Sequence, residues 1–222
     1  MSKTLCFTGR RPKDLGFTET VVSKNGREYL KNTQNEDAYK DFVLSLSGVL
    51  EKFYQHGYTR FISGGAQGFD QIAFRAVSLL KEKHPEIQNI MYVPFRGQER
   101  QWLSFGYFGQ DEYKKMLTTA DEVYYVVDKE LTEYRSIVGA LHARNHAMVA
   151  ASDKVLALYP DDDWKEHKGG TCECMRYAYS KGVPIVQMKY HVENEVLRMD
   201  ELCSLENDKD LDEDTSYEYN NE

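Results

Sequence analysis

What limits the fold of this chain most is a recurring order of events: a short apolar run, a loop rich in glycine or arginine, then a longer stretch with helical spacing. Lys3–Gly9 is the first run and ends in TGRRP, Thr59–Ser63 is followed at once by GGAQGFD, and Asn89–Pro94 leads into FRGQERQW. Glu122–Val127, Lys154–Tyr159 and Pro184–Met188 are further runs of strand length. Between them, Phe42, Val43, Leu46, Val49, Leu50 and Phe53 recur at a period near 3.6 and predict a helix over Asp37–His56, closed by Gly57. Ile72, Ala73, Ala76, Leu79 and Leu80 do the same for Phe69–Lys83. Helices are also predicted near Gln110–Thr119 and over Glu133–Ala151 and Thr171–Lys181. Strands of nearly unbroken apolar character, separated by helices, define an α/β fold: a mostly parallel sheet covered by helices on both faces.

The 222 residues suffice for one substantial core, and no linker or internal repeat interrupts the body. A single domain over residues 1–198 is expected, with a hairpin insertion at about 18–36 around the Asn25-Gly26 turn signal. From Asp200 to Glu222 there are ten acidic residues and one basic residue, so most of the net charge of −8 sits there and the body is near neutral. With little apolar content, residues 199–222 read as an acidic, solvated tail. Four scattered cysteines (Cys6, Cys172, Cys174 and Cys203) make no disulfide framework, and Cys172 and Cys174 with His167 do not complete a metal set. No metal and no cofactor are expected. Apolar runs fall well short of the ~20 residues of a membrane span. The start, MSKTLCFTG, lacks the apolar stretch of a signal peptide, so a cytoplasmic location is expected.

In an open parallel sheet, ligands sit beyond the carboxyl ends of the strands. The unusual loops of this chain all follow strands and so converge on that edge. Ser63, Gly64, Gly65 and Gly68 belong to SGGAQGFD, where glycines permit close approach to the main chain and a helix begins with free N–H groups. A tight turn alone would also use such glycines. Gly169, Gly170 and Thr171 repeat the pattern before another helix, with Thr171 available as a cap or a phosphate ligand. Gly9, Arg10 and Arg11 follow the first strand; Arg96, Gln98, Arg100 and Trp102 follow the third; Arg144 lies on a later helix. The guanidinium groups suit bidentate phosphate contact or ordinary surface ion pairs. Trp102 and Phe105 could stack on a base or fill core, and Asp70 could hold ribose hydroxyls or cap its helix. His142 and His146 are four apart on one helix, with no carboxylate at zinc-protease spacing.

The ordered set CFTGRRP, SGGAQGFD, VPFRGQERQW, TTADEVYYV, RNHAMVAASDKVLALY, GGTCECMRYA and PIVQM, spanning Leu5 to Met188, closely resembles the YpsA-like family of the SLOG superfamily. The resemblance implies a Rossmann-like, doubly wound domain that binds nucleotides or nucleotide-derived ligands, often as a homodimer or larger assembly. LHARNHAMVAASDKVLAL is similar to the stretch of LOG phosphoribohydrolases that carries a catalytic-site arginine, and Arg144 stands in that place. Those enzymes follow it with P-G-G-x-G-T-x-x-E. Here Gly170 and Thr171 match the G-T pair, the acid position holds Cys174, and Glu173 comes one residue early. One residue turns a helical side chain by about 100°, so Glu173 need not face the site.

Two functions compete on these grounds. A sensor or sequestering protein for an ADP-ribose-like or cyclic nucleotide needs the phosphate loops alone. A LOG-like hydrolase of the base–ribose bond would use Arg144 and Glu173 as catalytic residues, with Asp70 as a substitute acid. A third reading, single-stranded DNA binding as in DprA, is disfavoured because that task calls for a basic groove.

Overall fold

The computed structural model describes residues 2–22, 25–26, 28–32, 35–102 and 106–205. In chain order the elements are β1 (Lys3–Gly9), β2 (Thr18–Val22), β3 (Glu28–Asn32), α1 (Glu36–Gln55), β4 (Tyr58–Ser63), α2 (Phe69–Lys83) and β5 (Gln88–Arg96). They continue with α3 (Gln110–Thr119), β6 (Glu122–Glu130), α4 (Tyr134–Ala150), β7 (Lys154–Leu158), α5 (Gly170–Ser180), β8 (Ile185–Glu193) and β9 (Val196–Ser204). A seven-stranded sheet has the order β6-β5-β4-β1-β7-β8-β9, parallel except for β9. β2 and β3 form a separate antiparallel hairpin.

Side chains alternate across the strands, and helices cover both faces. Leu5 and Phe7, Leu156 and Leu158, and Val186 and Met188 share one core with the apolar stripes of α1 and α2. Cys6, Val155, Ala157 and Ile185 point the other way, into a core with Met148 and Val149 of α4 and Cys172, Cys174, Met175 and Ala178 of α5. This period of two explains why the strands read as continuous apolar runs. Burial pushes the Cys6 thiol up to about 12 and raises Cys174 as well, so both are packing residues rather than thiolates.

β9 corrects the expected tail boundary. Residues 199–204 belong to a strand that pairs with β8 from Glu193↔Val196 to Val186↔Ser204. Its alternating charges, as in Arg198, Asp200 and Glu201, belong to an edge strand with a solvated face, and they imitate the composition of a tail. The rest of the acidic segment, 206–222, lies outside the described residues. Among the described residues, no helix is long and apolar enough to cross a membrane.

The sheet order fixes where a ligand can sit. The chain proceeds outward from β1 through β4, β5 and β6, then returns to place β7 against the opposite side of β1. That reversal opens a crevice at the carboxyl ends of β1 and β7.

Candidate functional site

A cavity of about 240 Å³ occupies this crevice. The turn after β1 supplies Gly9, Arg10 and Arg11; the start of α2 supplies Asp70; α4 supplies Arg144 and Asn145; the first turn of α5 supplies Gly169, Gly170 and Thr171. Lys13, Asp14, Ala66 and Gln67 also face it, four residues that the sequence reading did not single out.

The SGGAQGFD loop is built around close approaches. A Cβ on Gly9 would lie 2.5 Å from the ring of the buried Phe69. Gly68, the N-cap of α2, has φ 103°, and a Cβ there would fall 2.4 Å from the Arg10 carbonyl oxygen. That carbonyl accepts the Phe69 N–H at 3.2 Å, stapling the β1 turn to α2. Ser63 is fully buried: its hydroxyl donates to the Asp70 carbonyl (2.7 Å) and accepts the Gly65 N–H (3.2 Å). Ser63, Gly64, Gly65 and Gly68 thus shape the loop from behind rather than line the cavity.

Gly64 leaves room for Arg144. A Cβ at Gly64 would lie 1.2 Å from the Arg144 Nη1, so the guanidinium lies directly against the main chain. Nη1 donates to Asp70 Oδ2 at 2.8 Å, and both residues are 6% exposed. Asp70 Oδ2 also accepts the Ala66 N–H at 3.3 Å. Asp70 therefore fixes the loop and the arginine instead of capping α2, and its Oδ1 makes no hydrogen bond among the described residues. The Arg144 Nε is buried and likewise unmet among them.

On the α5 side of the cavity, the helix begins at Gly170 with no side-chain cap, leaving N–H groups without intrahelical acceptors at the positive end of the dipole. Thr171 does not cap the helix; its hydroxyl donates to the Gly9 carbonyl at 2.7 Å and ties α5 to β1. Arg10 is 3.3 Å from Asp14 and lies over the Tyr159 ring. The Arg11 carbonyl accepts the Asp14 N–H at 2.9 Å, but its side chain has no hydrogen bond or ion pair among the described residues. Arg11 is exposed to solvent within the cleft. Desolvation lowers its pKa from the ordinary arginine value, with Asp70 opposing the shift and Arg144 adding to it. A desolvated cation beside a second cation is a site that an anion relieves.

Glu173 turns away from this cavity, as its one-residue offset allows. Its Oε2 accepts from Asn145 (3.0 Å) and lies 3.4 Å from His142 Nδ1, and its Oε1 is 2.7 Å from His146 Nε2. The two histidines therefore have a carboxylate partner after all, supplied from α5 rather than from their own helix. Burial raises the Glu173 carboxyl, but the contacts with Asn145, His146 and His142 outweigh it and hold the pKa below 4.5. A depressed folded-state pKa adds stability above the unfolded value, and that stability is lost as pH falls through the folded one. The stability difference between wild type and Glu173→Gln should be full above pH 4.5 and vanish in stronger acid. Melting temperatures of both proteins across that range would reveal a constant gap if the carboxylate were unengaged. Among the described residues, no three His, Cys, Asp or Glu side chains form a group that could hold a metal.

The loop after β5 goes elsewhere. Arg96 pairs with Asp128 at 2.5 Å and stacks over Tyr125, and Arg100 pairs with Glu130. Gln98 donates to the Tyr113 hydroxyl at 2.6 Å, and Trp102 packs edge-on against the same ring. None of these four faces the cavity; Phe105 lies outside the described residues.

A Rossmann-like sheet with a cationic, glycine-lined crevice at its topological switch point defines the class: an α/β domain with a cavity at the edge where open parallel sheets hold ligands. The family model described as the YspA SLOG family (YpsA) matches residues 5–192, and the chain belongs to this family. It is 37% identical over 151 residues to the "Uncharacterized SPbeta prophage-derived protein YoqJ" of Bacillus subtilis (strain 168), covering 63% of this chain and 79% of that one. It is 28% identical over 162 residues to the "UPF0398 protein BH1768" of Halalkalibacterium halodurans, covering 72% and 74%.

Proposed function

We propose that the crevice binds the phosphate of a nucleotide or nucleotide-derived signal, and that the protein acts as a sensor or sequestering protein for it. The observation that carries this reading is the Arg11 guanidinium, unpaired among the described residues and facing a cavity also lined by the uncapped first turn of α5. Two features favour holding over cleaving. Glu173, the acid nearest the hydrolase pattern, is engaged by Asn145 and His146 outside the cavity. Asp70, which does line it, is tied to Arg144, whereas cleavage of a glycosidic bond wants a carboxylate free to reach the reacting centre or its water.

The test is incubation with a nucleotide panel, isolation of the protein-bound fraction, and chromatography after denaturation. A ligand returned intact fits sequestration; free base and ribose phosphate would make the protein a hydrolase and sink this reading. Arg11→Ala should weaken binding roughly 10- to 150-fold, the worth of one hydrogen bond to a charged group. Its fold should be unchanged, because the Arg11 side chain makes no hydrogen bond or ion pair among the described residues. Full affinity in that variant would place the anion elsewhere.

A further inference from the structure

We infer that α4 and the open face of β6 form the interface of a symmetric homodimer, the α4 of each copy lying in the groove over the β6 of the other. The inference does not depend on what the crevice binds. Two bare elements and one constraint of symmetry carry it.

α4 is a surface helix without a polar outer side. It contains no carboxylate, and of its two arginines, Arg135 and Arg144, the second is buried. Gly139, Ala143 and Ala150 share the side turned away from the sheet and are exposed. α1, by contrast, exposes Glu36, Asp37, Lys40 and Asp41. A helix that is apolar all round is the kind a protein buries. The stripe that faces the sheet is open too. Tyr134, Ile137, Val138 and Leu141 lead at helical spacing to the buried Met148. No α4 residue before Ala140 is buried, however, and Tyr134 is 79% exposed.

β6 is equally bare. It is an edge strand, and none of its residues is buried, whereas every residue of β7 is. Tyr124 is 54% exposed, and its ring lies beside that of Tyr92 (centroids 5.0 Å apart) on the side of the sheet that α4 covers. α4 packs chiefly on β5, and α5 packs on β1 and β7. Among the described residues, no other helix covers β6 on that side. The floor of this groove is Tyr124 and its wall is α4. Tyr124 and Tyr134 are the described aromatic side chains more than half exposed, and aromatic residues are the usual anchors of protein contacts.

Symmetry selects the occupant. Ridge and groove adjoin in one patch, so a two-fold axis between two copies covers both at once. The helix of an unrelated partner would fill the groove and leave the outer side of α4 in water. Charge agrees: with no carboxylate and one exposed guanidinium, α4 meets its own copy without a row of like charges. Strand pairing is not the route. Asp121, Glu122, Asp128, Lys129 and Glu130 are exposed at the two ends of β6 and guard its edge.

Sedimentation equilibrium of the full-length protein should give twice the chain mass at ~10 μM. Ala143→Glu and Tyr124→Glu should each raise the dissociation constant at least about 100-fold, because each puts a carboxylate inside an apolar contact. Their far-ultraviolet circular dichroism should match that of wild type. Both positions are exposed in one copy, and glutamate suits a helix nearly as well as alanine does. Leu44→Glu is the control: Leu44 is 63% exposed on α1, on the opposite side of the sheet, and its loss should leave the dimer intact. A wild type that is monomeric at ~100 μM, where a micromolar association is nearly complete, overturns the inference and leaves the groove to another protein. A dimer that survives either Ala143→Glu or Tyr124→Glu overturns it by placing the contact elsewhere. So does a dimer that Leu44→Glu dissociates as strongly.

Discussion

Gly68→Ala should cost about 3 kcal/mol or more of folding stability, a large share of the ~5–15 kcal/mol that holds a typical domain together. Two independent penalties act at this residue. Its φ of 103° lies where an L side chain is strained, worth ~1–3 kcal/mol alone. The added Cβ would also meet the Arg10 carbonyl oxygen at 2.4 Å and the Arg11 Cα at 3.1 Å. Both are backbone atoms, so no rotamer change relieves the contact. Moving the Arg10 carbonyl breaks its bond from the Phe69 N–H and shifts Arg11 in the cleft, so residual folded protein should also lose the proposed phosphate binding. Gly48→Ala is the control. Gly48 is exposed within α1 and has nothing within 4 Å of a built Cβ; alanine there should stabilise by up to about 1 kcal/mol. Urea titrations of both variants decide the matter, and a Gly68→Ala protein as stable as wild type would mean that the loop is soft.

The same residue shows how far the sequence could be read. A glycine directly before an apolar stripe marks a helix start, and α2 begins at Phe69 as that pattern predicts. Strand and helix positions are local properties, and periodicity reports them. Which loop lies beside which depends on sheet order, and that is not local. The loops after β1, β4, β5 and β7 all reach the same edge, but β5 is separated from β1 by β4. Two strand spacings of ~4.8 Å are enough to take Arg96, Gln98 and Trp102 out of the crevice. Their chemical suitability was legible; their distance was not. Glu173 illustrates the complementary case. Its displacement by one helical step could be read from spacing, whereas its partners His142 and His146 sit on another helix and emerge once α4 packs on α5. β9 was concealed for a similar reason, since an edge strand needs apolar residues on one face alone and its pairing with β8 carries the rest.

The Asp70–Arg144 pair should behave as a buried ion pair that serves the site more than the fold. Asp70→Leu strands the Arg144 guanidinium, 6% exposed, without its counter-charge. Removing one member of such a pair costs about 3–5 kcal/mol, most of it the desolvation of the charge left behind. Arg144→Met leaves Asp70 with the Ala66 N–H at 3.3 Å, so it too should destabilise, by somewhat less. Replacing both with apolar residues of similar size removes both desolvation penalties and should recover most of the loss, because the Coulombic attraction of a buried pair roughly balances its burial cost. The Asp70→Leu, Arg144→Met double variant should therefore be closer to wild type in urea midpoint than either single change. A cycle comparing all four proteins should give a coupling of at least about 1 kcal/mol. Proposed nucleotide binding should follow the opposite pattern: a refolded double variant has lost the carboxylate and the guanidinium of two cavity-lining residues, and it should retain no nucleotide. Stability recovered without binding would assign the pair to the ligand. A double variant as unstable as the sum of the singles would instead make the ion pair a structural cross-tie between the α2 loop and α4, and any loss of binding would then follow from the loop's collapse.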